Sequence, residues 1–392
     1  MNNNKSIYFP NLNGIRFIAA SLVIFHHIDQ YLPYFGYPEW HFKVMDIVGR
    51  LGVILFFVLS GFLITYLLLA EEEGFKKINV KNFYIRRILR IWPLYFLVIT
   101  LAILIFPHFQ LFSVPGFEKE KIYADFGVKA ALYFTFFANL ADAMYPMIPC
   151  ATQAWSIGTE EQFYLIWPVL VRTIKKHRIR LMIGIVVFYL LVFYFLHFSV
   201  SNFIPHKEII FKFWKIFNID CMAIGGFFAI LLYTGKYLKW FLNNTIFYIV
   251  LVATTIMIAA GVLIPYVHNE FYAVLFGIII VNFAGNKKIG ISLENSVLHY
   301  LGKISYGIYM YHIIAIVLSF KLLMYFNIMS NWLIILSTFV FTIIMAGLSY
   351  RFFESRFIRR KKKFSNIVSG ENVESEIPKE AAPVSPAQLK VE

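Results

Sequence analysis

From residue 12 to residue 353, apolar runs of 15 to 23 residues alternate with shorter polar stretches. A helix that crosses a bilayer needs about 20 mostly apolar residues, because it rises about 1.5 Å per residue across about 30 Å of hydrocarbon. Ten runs predict such helices, at roughly 12–32, 51–70, 91–107, 154–171, 181–199, 213–233, 244–264, 271–285, 304–326 and 331–353. An eleventh run, 130–141, has only 12 residues between Lys129 and Asp142, a length that suits a re-entrant or interfacial segment. The run 271–285 is scarcely longer, so length alone does not separate the two.

Charge does separate them. With the N-terminus inside, 130–141 not crossing and 271–285 crossing, 27 of the 36 Lys and Arg residues fall on the inner side. The outer turns 265–270 and 327–330 contain neither. If 130–141 crossed, Arg172, Lys175, Lys176, Arg178 and Arg180 would lie outside, against the positive-inside bias. The pattern therefore predicts an all-α polytopic membrane protein of about ten transmembrane helices plus one re-entrant or interfacial segment. Both termini are expected to be cytoplasmic.

Composition agrees, with 59% hydrophobic and 15% charged residues against about 25% charged in soluble domains. The net charge of +14 sits where inner loops carry it and calls for no nucleic acid. Cys150 and Cys221 form neither a disulfide framework nor a metal-ligand spacing, and no metal is expected. Met1–Pro10 is polar and no small-residue cleavage site follows the first run, so that run reads as a retained signal-anchor. Residues 1–356 are expected to form the membrane domain. Residues 357–392 are expected to be a basic (RRKKK, 359–363) and then disordered cytoplasmic tail, rich in Glu, Pro, Ala and Ser.

Ionisable groups inside such helices are costly and mark function. In GIRFIAASLVIFHHID (14–29), Arg16 and His27 are 11 residues apart, which places them on one helix face about 16 Å apart. His26 points about 100° away from that face. The blander readings are a snorkelling anchor for Arg16 and an interhelical hydrogen bonder for His27. QAWSIGTEEQFYLIWP (153–168) puts Ser156, Glu160 and Glu161 at the outer start of a helix, with Glu160 near the depth of His27 and Glu161 turned aside towards water. In FYIRRILRIWPLY (83–95), Arg87 and Arg90 share a face at the inner end of the third helix, near the depth of Arg16. Grouped guanidinium groups suit phosphate recognition, although positive-inside topology also accounts for them. Together these residues describe a path from a phosphate-bearing cytoplasmic ligand to a deeper histidine and carboxylate.

The motifs LNGIRFIAASLVIFHH (12–27), LGVILFFVLSGFLIT (51–65), RRILRIWPLY (86–95), AWSIGTEEQFYLIWP (154–168), LGKISYGIYMYH (301–312) and SYRFFE (349–354) are specific in this order. The chain resembles, over roughly residues 8–356, the integral-membrane acyltransferase family 3, whose members O-acylate sugars of cell-surface polysaccharides and related acceptors. The resemblance implies that Arg16 and His27 carry the family's arginine–histidine spacing, which selects His27 over His26. It further implies that Arg87 and Arg90 are the paired arginines of the third helix. Trp155, Ser156 and Glu160 match the tryptophan–serine–acid signature, His312 the histidine closing the ninth-helix motif, and Glu354 the late acid. The chain departs from the pattern at Ile54, where many members have an acid. It also departs at Asn218, near which they have an arginine, and at Ser355, where a proline is common.

The resemblance implies an O-acyltransferase of the bacterial inner membrane that moves an acyl group, acetyl first, from acyl-CoA to a hydroxyl of a cell-surface carbohydrate or lipid-linked glycan. Arg16, Arg87 and Arg90 would hold the CoA phosphates. His27 would act as general base or carry the acyl group briefly, and Glu160 would orient its ring. Ser156, His312 and Glu354 would complete the polar core. The alternative is a secondary transporter or flippase of a sugar or anion, with His27 and Glu160 as a proton relay. Cysteine-accessibility labelling is expected to place residues 120 and 150 outside and residue 176 inside; labelling of 176 from outside would overturn the ten-helix reading.

Overall fold

All ten apolar runs are helical in the computed structural model, which describes residues 6–199, 204–365 and 367–369. The chain opens with α1 (Leu12–Tyr31), α2 (Met45–Phe75) and α3 (Val80–Thr100). A segment of short pieces follows, with α4 (Lys119–Tyr123), α5 (Phe126–Phe134) and α6 (Ala138–Met144). Next come α7 (Ala154–Thr173), α8 (Arg178–Phe198), α9 (Lys207–Phe217), α10 (Ile219–Thr234), α11 (Leu238–Phe241), α12 (Asn244–Ala259) and α13 (His268–Gly285). The chain closes with α14 (Ser296–Lys303), α15 (Ser305–Tyr325), α16 (Asn331–Ser349) and α17 (Ser355–Lys361).

Seven helical stretches among the described residues are long and apolar enough to cross a membrane. Two further helices, α1 and α7, match them in length at 20 residues each, but polar groups dilute their apolar content. The helices that fall short in hydropathy are the ones that carry Arg16, His26, His27, Glu160 and Glu161. The run 130–141 is split between α5 and α6, of nine and seven residues, and Phe136 between them has φ 63°. Neither piece is long enough to cross. The run 213–233 is likewise two helices, parted at Asn218 with φ 21°.

Several helix starts are written locally. The Asn79, Asn243 and Asn295 side chains each accept from backbone N–H groups of the first turn of α3, α12 and α14, satisfying donors that have no partner within the helix.

The 31-residue α2 runs through the middle of the bundle, packed by α1 on one side and α10 on another. Lipid gives helices no hydrophobic drive to associate, so small residues that let backbones meet decide the contact. A Cβ on Gly61 would stand 1.9 Å from the Met222 carbonyl oxygen, and one on Gly225 would stand 2.1 Å from that of Val58. Trp167 of α7 is tied to α2 by a 2.9 Å hydrogen bond from its indole N–H to Thr65 Oγ1. By contrast, α8 turns Phe188, Leu191, Phe195 and Phe198 outward, as a lipid-facing helix does.

Beyond α16 the chain makes a π-helical turn at Tyr350–Glu354, and α17 then packs back against α3. Arg86 donates to the Phe364 carbonyl at 2.8 Å. Val368–Ser369 pairs in parallel with Ser6–Ile7. The segment after residue 356 is therefore folded against the arginine-bearing end as far as Ser365 and again at 367–369. The remainder of the expected disordered tail lies outside the described residues.

Candidate active site

Between α1, α2, α3, α7 and α15 lies a cavity of about 1170 Å³, its open mouth included. Arg16, Arg87 and Arg90 line it together with Ser156 and Glu160. Five of the residues singled out from sequence thus meet in one space, although they come from three helices far apart in the chain. Arg16 is oriented by a 3.2 Å hydrogen bond from its Nη1 to Asn13 Oδ1. The guanidinium of Arg87 stands 5.4 Å from the Tyr164 ring centre and 5.6 Å from that of Phe83. Its Nε–H is buried without a hydrogen-bond acceptor.

Glu160 reaches the cavity from α7, held by a 2.6 Å hydrogen bond from Ser60 and by a second from the Tyr164 hydroxyl. Glu161 does not turn to water as its position on the helix suggested. Its carboxylate accepts from the Trp92 indole N–H at 2.8 Å, so both acids of the pair point into the protein. Also in the cavity wall, Ser156 Oγ lies 2.6 Å from the Tyr309 hydroxyl.

His27 lies outside the cavity lining, and the hydrogen-bonded partner of its ring is His312 rather than Glu160. His312 Nε2 is 3.2 Å from His27 Nδ1. The tautomers follow from the carbonyls around the pair. His312 Nδ1 is 2.5 Å from the Tyr309 carbonyl, and His27 Nδ1 is 2.9 Å from that of Val23. A carbonyl oxygen can only accept, so each Nδ1 carries the hydrogen. His312 Nε2 is then an acceptor, and His27 Nδ1–H is shared between it and Val23. This leaves the lone pair of a neutral His27 on Nε2, the nitrogen available as a base. Tyr309 joins the pair to the cavity, because it lines the space while its carbonyl fixes His312.

His26 has a different task. Its Nδ1 is 2.8 Å from the Met45 carbonyl, and its ring lies where a Cβ on Gly49 would come within 2.3 Å. Asp29 caps the next loop by accepting from the Trp40 N–H at 2.9 Å. Glu354, buried in the π-helical turn, accepts from Ser349 Oγ at 2.9 Å and takes no part in the cavity lining. Ser60, Tyr164 and Tyr309 were not picked out from sequence. A serine or tyrosine in an apolar run reads as ordinary packing until its hydroxyl partner is known.

This geometry has a counterpart among known sequences: residues 9–351 match the acyltransferase domain model of acyltransferase family 3. The chain belongs to this acyltransferase family. The peptidoglycan O-acetyltransferase OatA of Listeria monocytogenes is 30% identical over 169 residues, 43% of this chain and 25% of its own length. A Staphylococcus aureus protein provisionally named an O-acetyltransferase is 27% identical over 383 residues, covering 92% of this chain and 59% of its own. The O-acetyltransferase OatA of Staphylococcus aureus is 30% identical over 173 residues, 44% of this chain and 26% of its own. The chain therefore spans between a quarter and three fifths of these relatives. No solved structure matches it.

The two adjacent histidines should separate in experiment. His26→Ala is expected to lower the melting temperature in detergent, since it removes the link to Met45 and leaves a void at Gly49, while the turnover of the folded fraction stays near wild type. Loss of turnover with unchanged stability would show that His26 belongs to the chemistry.

Proposed function

We propose that this protein is a membrane O-acyltransferase that moves an acetyl group from acetyl-CoA to a hydroxyl of a cell-surface carbohydrate or lipid-linked glycan. One observation carries the reading: a single cavity has three arginines at one end and, at the other, a wall behind which a histidine is held with its Nε2 lone pair available. Membership in an acyltransferase family favours this over a transporter or flippase using the same groups. The names of the O-acetyltransferase relatives favour acetyl among acyl groups and a glycan among acceptors.

In this reading the donor enters from the cytoplasm. Arg16, Arg87 and Arg90 hold its phosphates, since forked and permanently charged donors match phosphate oxygens. The pantetheine arm lies along the cavity, with the thioester near Ser156, Glu160 and Tyr309. His27 Nε2 takes the proton from the acceptor hydroxyl as its oxygen attacks the thioester carbonyl. The carbon–sulfur bond then breaks, and the CoA thiolate leaves with the proton from His27. His312 acts as a positioning residue: by accepting from His27 Nδ1–H it keeps the base nitrogen turned to the reaction, the part a carboxylate plays beside other catalytic histidines. Glu160 presents its carboxylate to the thioester end of the cavity. Membrane domain and site are assigned to residues 1–356, with both termini cytoplasmic.

Release of free CoA thiol by the purified protein, dependent on both acetyl-CoA and a glycan acceptor, tests the reading directly; absence of acetyl-CoA turnover with any glycan would reject it. Arg90→Ala is expected to raise the KM for acetyl-CoA more than it lowers kcat, because a phosphate contact serves ground and transition states alike. Arg90→Lys should recover only part of the loss, and an unchanged donor KM in correctly inserted protein would remove Arg90 from the donor site.

His27→Ala should abolish turnover. His312→Leu should lower kcat by roughly 100-fold, the scale of a misaligned general base, whereas the amide oxygen of His312→Gln can still accept from His27 and should restore much of it. Equal loss in the Leu and Gln variants would contradict the positioning role.

A further inference from the structure

Two cavities meet at the end of the bundle where α15 finishes, the outer end in the orientation proposed above. The first, of about 960 Å³ with its open mouth, lies in the connection from α3 to α7. Phe106, Phe109 and Phe117 bring apolar rings to its lining, and His108, Gln110 and Glu120 bring hydrogen-bonding groups. Its charged groups carry no cationic excess, since Glu118 and Glu120 stand against Lys119, and Glu118 is paired with Lys121 at 3.0 Å. The second is a groove of about 1180 Å³, its open side included, between α15 and α16. Leu318, Leu322, Phe341 and Ile344 line it, and Leu322 and Ile344 are exposed, so the groove faces lipid.

Gln110 belongs to both linings. At the same junction Lys321, from the groove, donates to Ser113 Oγ, from the cavity, at 3.0 Å. Its ammonium also stands 5.9 Å from the Phe35 ring centre. Among the described residues no carboxylate forms an ion pair with Lys321. The junction lies outward of the histidine pair. Lys321 follows His312 on α15 by nine residues, about 13.5 Å of helix. Tyr34, whose ring centre is 5.2 Å from that of Phe117 in the cavity, follows His27 by seven.

We infer that the acceptor is a lipid-linked glycan. Its apolar chain lies in the groove between α15 and α16, Lys321 holds the phosphate that joins chain to sugar, and the first sugars enter the aromatic cavity. The inference rests on the acyltransferase reading and narrows its acceptor to one class. A lysine beside lipid is costly, and a phosphate oxygen supplies its counter-charge. Apolar rings with a few hydrogen-bonding groups and no cationic excess suit a neutral sugar, which has apolar faces and hydroxyl edges. A free polysaccharide would use the cavity alone, and a phospholipid the groove alone. Only a molecule with sugar, phosphate and long chain in that order uses cavity, lysine and groove together.

The test compares lipid-linked glycan extracted from cells that lack the protein with the same glycan after mild acid has cleaved its phosphate link. Each is offered with acetyl-CoA to the full-length protein in phosphatidylglycerol nanodiscs. Wild type is expected to acetylate the linked form at least roughly 100-fold more efficiently in kcat/KM, the scale of one charge-assisted contact and a few buried methylene groups. Lys321→Ala should cut this preference roughly 10-fold, and Lys321→Arg should keep most of it. Leu111→Glu, which places a charge in the exposed lining of the groove, should cut it as well. A preference is a ratio, so a smaller folded fraction in a variant does not alter it. Equal turnover of the two forms by wild type would leave the groove to bulk phospholipid and overturn the inference. So would a preference that survives Lys321→Ala or Leu111→Glu, because anchoring of the acceptor in the membrane would then account for it. If neither form is acetylated and acetyl-CoA is not consumed, the acyltransferase reading itself fails instead.

Discussion

The close approach of α2 and α10 is the contact on which the rest of the bundle is set. At Gly61 and Gly225 each backbone lies where the other's side chain would otherwise be, a separation that only glycine permits. With α2 held there, its other flanks meet α1 and α7. The cavity is the space left where α3 and α15 complete the ring. Ser60, one residue before Gly61, reaches Glu160 because of this placement.

Low dielectric explains how the polar groups are arranged around that frame. A polar group withdrawn from water without a partner costs several kcal/mol, and many polar groups of these helices are bound to one another or to backbone carbonyls. Trp92 bonds one carboxylate oxygen of Glu161, Trp167 bonds Thr65, and Ser60 and Tyr164 hold Glu160. The histidine pair follows the same logic with two carbonyls as anchors, and those carbonyls fix both tautomers. What in a soluble protein would be a stabilising device here also defines which nitrogen keeps its lone pair.

The two ends of the cavity differ in kind. At one end the arginines come from α1 and α3, beside the C-terminal segment that folds back over α3. At the other, the Ser156–Tyr309 contact separates the cavity from the histidines.

Much of this was legible in the residues alone. Helix positions followed from run length, because a membrane helix must be apolar for about 20 residues whatever it packs against. Arg16, Arg87, Arg90, Ser156 and Glu160 stood out because ionisable and polar groups in such runs are expensive, and they do meet in one cavity. Helical periodicity gave Arg16 and His27 a common face. What periodicity cannot supply is the partner across an interface. The pairing of His27 with His312 joins residues 285 positions apart, and nothing in the spacing of either motif announces it. The inward turn of Glu161 depends on where Trp92 of another helix happens to lie. The fold of α17 and the burial of Lys361 were equally out of reach, since a basic run reads as solvated unless a neighbouring helix end shelters it. Sequence determined which groups had to be buried, and tertiary structure alone decided with whom.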